Sequence, residues 1–349
     1  MRITIADVQV PFCMGGAELL ADRLKKKLYE YGHQAEIVTL PFCFSPPEAV
    51  SQSIELWQGN YVGRTFEFYS DALIALRFPA YLCSHPNRAL WLLHQHRAIY
   101  DLWDTKYTYE LSQSSKGQKL KAKIESIDSR ILGQYKKRFT ISATVSERLQ
   151  KFNGLTSKPL YHPPPLFGNY YCQPEQPYIF CPSRLEDLKR QDLLIDAIAQ
   201  LPYTVFVVLA GEGGNHSRLE AKIEKLGLKD RVYLLGRVSQ SELLAFYANC
   251  RAVFFAPYEE DLGYVTFEAM LSQKPVITCL DSGEPSRIIL NNQTGFICEP
   301  CPSSIATAIN TLWKHPNQAR EMGVSNWEHY QSFSISWENV VTNLISALS

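Results

Sequence analysis

The chain of 349 residues is long enough for about two domains, and it is 46% hydrophobic and 20% charged, which is typical of a folded globular protein. This balance excludes a mostly disordered chain, and the 18 glycines and 20 prolines exclude a coiled coil. Because 35 basic and 35 acidic residues give a net charge of zero, bulk charge predicts neither a nucleic acid nor an acidic partner.

Strands and helices alternate in the first half of the chain. Apolar spacing predicts strand Ile3–Val10, helix Ala17–Tyr31, strands Ala35–Leu40, Leu73–Ala75 and Ala89–Leu93, a helical stretch over Lys119–Arg138, and a strand-like Phe139–Val145. This order predicts a parallel sheet with helices on both faces.

A proline-rich segment, Lys158–Tyr178, interrupts this pattern and predicts a stiff linker. The same alternation then restarts. The predicted strands are Tyr178–Cys181, Thr204–Ala210, Val232–Leu235, Ala252–Pro257, Pro275–Thr278 and a hairpin-like Thr294–Cys298. The predicted helices are Gln191–Gln200, Ser217–Leu226, Ser239–Ala248, Val265–Ser272, Ser303–Lys314 and an amphipathic Ser336–Leu348. The sequence therefore predicts two doubly wound α/β domains, with ligands bound in the cleft at the carboxyl ends of the strands.

The cysteines and the amino-terminal residues bear on the compartment. The nine cysteines lie mostly in apolar stretches, which predicts reduced, buried thiols. Cys298 and Cys301 have the spacing of a zinc or redox site, but without a second pair we expect a structural role. The first ten residues read as a strand rather than a signal peptide, and no apolar run approaches the ~18 residues of a membrane span. We therefore expect a cytoplasmic protein.

Two loops that follow predicted strands could bind an anion. The loop Gly15–Glu18 opens a helix, where two glycines let backbone N–H groups approach a phosphate, although such a turn can also be purely structural. Arg184 and Lys189 follow the first strand of the second half. They could clamp a diphosphate, or they could be two solvated cations.

Carboxylates and histidines follow other predicted strands. Glu260 and Glu268 flank the start of a helix, with Gly263 between them, so they could accept bonds from sugar hydroxyls or simply complement the helix dipole. His94 and His96 end a strand of the first half. A histidine there could contact a substrate or move a proton, or have no catalytic role, and a metal would need a third ligand that the sequence does not place nearby.

Together these residues resemble glycosyltransferase family 4, the retaining nucleotide-sugar transferases of the GT-B fold, in which two Rossmann-like domains face a cleft. The resemblance covers nearly the whole chain. Five motifs carry it, in the family's order: Gly15–Glu18, Ser183–Leu185 with Lys189, Leu209–Gly213, Leu235–Val238, and Glu260 with Glu268 as an E-x7-E signature.

The resemblance implies an acceptor-binding domain over 1–165, a nucleotide-sugar-binding domain over 166–330, and a final helix within 331–349 that crosses back onto the first domain. It also implies a role for each site residue. Arg184 and Lys189 would stabilise the leaving diphosphate, Glu268 would hold the ribose, and Glu260 would contact the donor sugar with His94 nearby. Gly15 and Gly16 would face the diphosphate and acceptor. Gly211, Arg237 and Val238 would border the base, and Gly263 and Tyr264 would start the helix against the donor.

The expected cosubstrate is a UDP- or GDP-sugar, with no further cofactor. No Asp-x-Asp motif is present, so we expect no metal. One departure concerns the loop after Ser282. The family has a second glycine where this chain has Glu284, and a glutamate where it has Arg287. This difference bears on donor preference.

The leading hypothesis is a hexosyltransferase acting on a glycan, a lipid-linked or a small glycosyl acceptor. A basic excess over Glu110–Thr140 suggests contact with the inner face of a membrane, or else a solvated helix face. Two alternatives are a nucleotide-sugar epimerase of the same fold and a non-catalytic sugar-binding subunit. The intact set of Arg184, Lys189, Glu260 and Glu268 argues against the subunit.

Overall fold

The structure is a computed structural model that describes residues 1–12, 15–59, 64–65, 68–201 and 205–348, with the backbone alone for 64, 65 and 68. The chain divides into two compact units. The first comprises Met1–Pro165 together with Ser336–Ser349, and the second comprises Leu166–Ile335.

The strands of the first unit are β1 (Arg2–Gln9), β2 (Gln34–Pro41), β3 (Arg64–Thr65), β4 (Phe68–Tyr69), β5 (Ala72–Ala75), β6 (Arg88–Leu92), β7 (Arg138–Thr140) and β8 (Lys158–Pro159). Its helices are α1 (Gly16–Glu30), α2 (Pro47–Gln58), α3 (Tyr109–Gln113), α4 (Ser115–Leu132), α5 (Ala143–Asn153) and, from the end of the chain, α13 (Trp337–Ser346). Within the described residues, six of the strands form a parallel sheet in the order β2-β1-β5-β6-β7-β8, and β3 and β4 pair as a separate antiparallel ribbon.

The strands of the second unit are β9 (Tyr178–Pro182), β10 (Phe206–Ala210), β11 (Val232–Gly236), β12 (Ala252–Phe254), β13 (Val276–Cys279) and β14 (Gly295–Cys298). Its helices are α6 (Gln191–Ala199), α7 (His216–Lys225), α8 (Gln240–Asn249), α9 (Tyr264–Leu271), α10 (Glu284–Ile288), α11 (Pro302–Lys314) and α12 (Pro316–Ser332). In the described part of this unit the strands form a second parallel sheet, with the order β11-β10-β9-β12-β13-β14.

Alternation along the central strands explains why the second sheet is covered on both faces. Ile179 and Cys181 of β9 belong to one buried apolar cluster, whereas Tyr178 and Phe180 belong to another. Successive side chains of a strand point to opposite faces, so a strand that is apolar throughout needs cover on both sides. The two parallel sheets with flanking helices confirm the predicted α/β class.

Several predicted elements differ from the structure. The helical stretch predicted over Lys119–Arg138 begins at Ser115 and ends at Leu132, and Arg138 is the first residue of β7. The prediction of a hairpin over Thr294–Cys298 is wrong, because β14 pairs in parallel with β13. The strand predicted over Phe139–Val145 ends at Thr140, because the Ser142 hydroxyl accepts a bond from the backbone N–H of Val145 and caps α5. Thr204, the first residue of another predicted strand, lies outside the described residues, and β10 begins at Phe206.

The terminal helix α13 packs within the first unit. Its first residue, Trp337, places its indole edge-on to Trp91 of β6, at 6.4 Å between ring centroids, and 5.9 Å from the ring of His162. The indole N–H of Trp91 donates to the carbonyl of Leu160 at 3.2 Å. Aromatic pairs of this kind contribute about 0.5–1.5 kcal/mol beyond their burial, so they help to fix α13 against the sheet.

The core of the first unit contains a buried carboxyl group on α4. Tyr81 and Tyr100 both donate hydroxyl hydrogens to Oδ2 of Asp128, each at 2.9 Å. Burial raises the pKa of Asp128 to about 7, and the two tyrosine bonds only partly oppose that rise. The carboxyl group therefore binds a proton in the folded protein at pH values where the unfolded chain has lost it.

We expect Asp128→Asn to flatten the pH dependence of stability. Between about pH 4 and pH 7 the native state holds a proton that the unfolded state releases, so the free energy of unfolding falls as pH rises through this window. The amide cannot ionise, and the variant should gain about 2–4 kcal/mol relative to wild type between pH 5 and pH 8. Urea unfolding at both pH values measures this difference. The same change in the free energy of unfolding with pH for the wild type and the variant would contradict this prediction.

Candidate functional site

The order of the second sheet marks the edge where a ligand would bind. The chain runs outward from β9 in one direction through β10 and β11, and in the other through β12, β13 and β14. Open parallel sheets bind ligands beyond the carboxyl ends of the strands, at the point where this order reverses. That point lies between β9 and β12, and the loops that follow these two strands carry Lys189 and Glu260.

Lys189 and Glu260 form an ion pair at this point. The Nζ atom of Lys189 lies 2.5 Å from Oε2 of Glu260, and both side chains are largely buried. The same ammonium lies 5.4 Å from the ring centroid of Phe255, which follows β12. The structure thus brings together two predicted site residues that are 71 positions apart in sequence.

Arg190, which sequence reasoning missed, fixes the position of this pair. Its guanidinium binds both carboxylate oxygens of Asp281, each at 2.7 Å, and donates to the carbonyls of Ala256 and Pro257 at 2.8 and 2.9 Å. The side chain is buried, and the backbone adopts a left-handed conformation with φ of 52°. Arg190 therefore ties the loop after β9 to the ends of β12 and β13, next to Lys189.

The backbone of Glu260 is held by the neighbouring loop. Its N–H donates to the carbonyl of Ser282 at 3.1 Å, and its own carbonyl accepts from the N–H of Glu284 at 3.0 Å. Glu284, the residue that departs from the family pattern, is buried at the start of α10, and Arg287 lies in the last turn of that helix. The departure therefore lies directly against the loop that carries Glu260.

Glu268 is buried in α9, where two tyrosine hydroxyls donate to its carboxylate. Tyr170 donates to Oε1 at 3.0 Å and Tyr247 donates to Oε2 at 2.6 Å. Burial raises the pKa of Glu268, and the two bonds oppose this shift. Sequence reasoning missed both tyrosines, and it assigned Tyr170 to a linker although the residue packs within the second unit.

Helix α9 begins beside the Lys189–Glu260 pair. Its first residue is Tyr264, and Gly263 caps it in a left-handed conformation with φ of 76°. A Cβ atom at position 263 would lie 2.6 Å from the Phe255 ring and 3.3 Å from Cγ of Glu260. Only glycine fits this corner without displacing Phe255 or Glu260.

A further loop touches the one that carries Arg184. The N–H of Ser183 donates to the carbonyl of Ala210 at 3.0 Å, and the N–H of Gly211 donates to the carbonyl of Gly236 at 2.8 Å. Arg237 and Val238 follow directly after Gly236; Arg237 is exposed and Val238 is half-buried. The predicted base-side residues thus lie at the same edge of the sheet as the loop after β9.

Arg184 does not join the Lys189–Glu260 pair in this structure. Its side chain is 52% exposed and is paired with Glu186 at 2.9 Å. An exposed pair of this kind contributes little to stability, so the guanidinium can exchange partners at small cost.

In the first unit the sheet order reverses between β1 and β5, and Gly15 and Gly16 follow β1. The N–H of Gly15 donates to Oε2 of Glu18 at 2.8 Å, which closes the first turn of α1. Arg77, which follows β5, binds Oε1 of Glu18 and Oδ1 of Asp7, each at 2.6 Å. Sequence reasoning missed Arg77, which anchors the glycine loop to the sheet.

The electrostatics of this anchor differ between its two carboxylates. Burial raises the pKa of Asp7 despite the attraction of Arg77. Burial also acts to raise the pKa of Glu18, but the charge and hydrogen bonds of Arg77 hold it below its ordinary value. Glu18 therefore keeps its negative charge on the glycine loop.

His94 and His96 follow β6 but occupy different environments. His94 is half-buried, with Nδ1 2.7 Å from the carbonyl of Gln95. His96 is buried and stacks on Phe78 at 5.0 Å, and burial lowers its pKa to about 3. His96 is therefore a neutral core residue at physiological pH, and His94 is the more accessible of the two.

Within the part of the chain that the structure describes, no group of three or more His, Cys, Asp or Glu side chains is arranged to hold a metal ion. Cys298 is buried at the end of β14 and Cys301 precedes the first residue of α11. Across the described residues, none of the helices combines the length and the apolar character that a bilayer crossing requires.

Comparison with known proteins connects this geometry to a class of enzymes. Residues 171–326 match the family model described as "Glycosyl transferases group 1". The chain is 27% identical over 129 residues to alpha-1,3/1,6-mannosyltransferase ALG2 of Dictyostelium discoideum, which is 35% of this chain and 30% of that protein. It is 32% identical over 134 residues to D-rhamnosyltransferase WbpZ of Pseudomonas aeruginosa, which is 38% of this chain and 34% of that protein. The chain therefore spans about a third of the length of these curated relatives.

Solved structures match over almost the whole chain. Sucrose-phosphate synthase from Thermosynechococcus elongatus has a TM-score of 0.75 at 16% identity, covering 99% of this chain and 97% of that one. HepE of Anabaena, solved with UDP and glucose, has a TM-score of 0.70 at 18% identity and covers 99% of this chain and 100% of that one. The fold is the two-domain GT-B fold of glycosyltransferases, and the curated relatives are glycosyltransferases.

We expect Gly211→Ala to damage the site edge. A Cβ atom there would lie 2.1 Å from the carbonyl oxygen of Ser183, so the loop after β9 must shift. The variant should lose about 2 kcal/mol or more of stability. Gly214→Ala is the matched control, because its Cβ atom meets no described heavy atom within 4 Å. Thermal unfolding of both variants measures the difference, and equal melting temperatures would show that the loop accommodates the methyl group.

Proposed function

We propose that the chain is a retaining glycosyltransferase that moves a hexose from a nucleoside diphosphate sugar to a glycan, a lipid-linked or a small glycosyl acceptor, without a metal ion. The observation that carries this proposal is the Lys189–Glu260 ion pair at the point where the second sheet reverses its order. It supplies a cation for the diphosphate and a carboxylate for the sugar at the edge where such a fold binds ligands.

The chemistry of the leaving group explains the need for cations. Transfer breaks the bond between the anomeric carbon and the diphosphate oxygen, and the electron pair stays on the diphosphate. The acceptor hydroxyl forms the new bond on the same face, and its proton passes to the departing phosphate. Lys189, supported by Arg190, meets the growing negative charge, and Arg184 can leave Glu186 to join it.

The remaining residues of the second unit would hold the nucleoside. We assign Glu268 to the ribose, because its buried carboxylate sits one helical turn from Gly263 and Tyr264, with Tyr170 and Tyr247 fixing both oxygens. Gly211, Arg237 and Val238 are assigned to the base edge. Gly15, Gly16 and His94 belong to the first unit, and their roles toward the acceptor and the sugar stay predictions.

Related proteins support a nucleotide-sugar donor. HepE was solved with UDP and glucose, and separately with UDP-glucose. A curated relative from Mycolicibacterium smegmatis is a GDP-mannose-dependent mannosyltransferase, 28% identical over 187 residues. UDP- and GDP-sugars of glucose and mannose are therefore the first donors to test.

We expect Lys189→Ala and Glu260→Ala each to lower kcat by about 10²–10³-fold, the usual cost of losing one preorganised charge at a leaving group or substrate. Lys222→Ala is the matched control, because Lys222 also forms a 2.6 Å ion pair, with Asp196, but lies on α7 away from the strand ends. Steady-state transfer assays with circular dichroism of each variant measure the effect. Equal losses of kcat in all three variants would show that the Lys189–Glu260 pair is not part of the active site.

We expect a panel of UDP-, GDP- and ADP-sugars to give one donor whose hexose is transferred or hydrolysed, with an unchanged anomeric configuration and with full activity in EDTA. Proton NMR of the product reads the configuration. An isomerised nucleotide sugar formed without acceptor would instead identify an epimerase. Glycan binding without turnover of any donor would identify a binding subunit.

A further inference from the structure

A cavity of about 700 Å³ lies at the opposite edge of the second sheet, among residues that precede strands rather than follow them. Arg251 directly precedes β12, Lys274 and Pro275 precede β13, and Gln173 and Glu175 lie shortly before β9. Because all strands of the sheet are parallel, this edge is separated from the Lys189–Glu260 pair by the length of the strands.

The cavity is rich in positive charge. Three cations, Arg251, Lys274 and Arg320, line it together with one carboxylate, Glu175. Arg320, an exposed residue of α12, forms an ion pair with this carboxylate, with 2.9 Å between Nε of Arg320 and Oε2 of Glu175. Among the described residues, neither Arg251 nor Lys274 then has a carboxylate partner within ion-pair distance.

Lys274 is an unusual residue to find buried. The residue is only 4% exposed, and its ammonium donates to the carbonyl of Gln173 at 3.1 Å, which uses one of its three N–H groups. Lysines are almost never fully buried unless their charge is paired, because removing an unpaired ammonium from water is costly. The geometry leaves the other two N–H groups for a ligand.

Arg251 is held in place on the other side of the cavity. Its guanidinium stacks over the Trp313 ring at 4.5 Å from the centroid, and its buried Nε–H meets no acceptor among the described residues. A guanidinium fixed by stacking loses little freedom when it binds a pair of anionic oxygens.

We propose that this cavity binds a phosphate monoester of about the size of a sugar phosphate, with Lys274 and Arg251 contacting the phosphate. An ammonium and a guanidinium together match the two charges of a phosphate group. The volume is in the range of small-molecule sites and exceeds what a bare phosphate needs, and Gln173 and Gln273, two residues that can bond hydroxyls, line the same cavity. The site is separate from the proposed donor site and does not depend on it.

Isothermal titration calorimetry of the full chain with glucose 6-phosphate, inorganic phosphate and glucose tests this proposal. A Lys189→Ala background keeps the proposed donor site from contributing. We expect glucose 6-phosphate to bind at least 5-fold more tightly than inorganic phosphate, and glucose not to bind. Equal affinities for the two phosphates would identify free phosphate as the ligand and overturn the monoester.

Variants that remove either a positive or a negative charge from the cavity test whether glucose 6-phosphate binds there. Lys274→Met and Arg251→Met should each weaken glucose 6-phosphate binding at least 10-fold. Arg320→Gln, which leaves Glu175 unpaired beside the ligand, should weaken it several-fold, whereas Glu175→Gln should tighten it. Lys229→Gln is the control, because Lys229 is an exposed, ion-paired lysine shortly before β11 that does not line the cavity.

The ion pair of Arg320 and Glu175 keeps the test valid even where Lys274→Met fails to fold. A purely structural role for Lys274 would not make Arg320→Gln and Glu175→Gln shift affinity in opposite directions. No binding of glucose 6-phosphate at millimolar concentration, or an affinity that neither Arg320→Gln nor Glu175→Gln changes, would overturn the proposal.

Discussion

The contact between Arg190 and Asp281 is the interaction on which the candidate site depends. A buried guanidinium that binds both oxygens of one carboxylate and two backbone carbonyls joins the ends of β9, β12 and β13. Lys189 ends a single 3-10 turn, Asp187–Lys189, and Glu260 forms an isolated β-bridge with Gly283, so neither residue lies in a long helix or strand. The Arg190 side chain and the backbone bonds between Glu260 and the loop after β13 help to fix both positions.

The first unit uses the same arrangement at its own sheet. Arg77 follows β5 and binds Asp7 of β1, where the strand order reverses, and it also holds Glu18 of the glycine loop. In both units a buried arginine bridges adjacent strands to position a loop that opens a helix. Because a buried ion pair is costly unless it is fully hydrogen-bonded, its value here lies in fixing loop geometry rather than in stability.

Sequence patterns predicted the two parallel sheets and most of the loops of the site, because strand alternation, glycines and charged residues at strand ends are local signals. The anchoring partners could not be predicted in this way. Arg190 meets Asp281 across 91 positions, and Tyr170 meets Glu268 across 98, so only the fold shows that they touch. Tyr170 was also missed because it lies in a proline-rich segment that predicts a linker. The hairpin prediction for β14 was wrong because local sequence does not show which strand it pairs with.

Tyr170 has a consequence for how the second unit would bind the proposed nucleoside. The residue lies five positions after the point where the chain leaves the first unit, and its hydroxyl already occupies Oε1 of Glu268. Under the proposed function, a ribose diol bound at this carboxylate would share Oε1 with the tyrosine. Ligand binding at Glu268 and the Tyr170 hydrogen bond would then be thermodynamically linked, each altering the other by the same free energy.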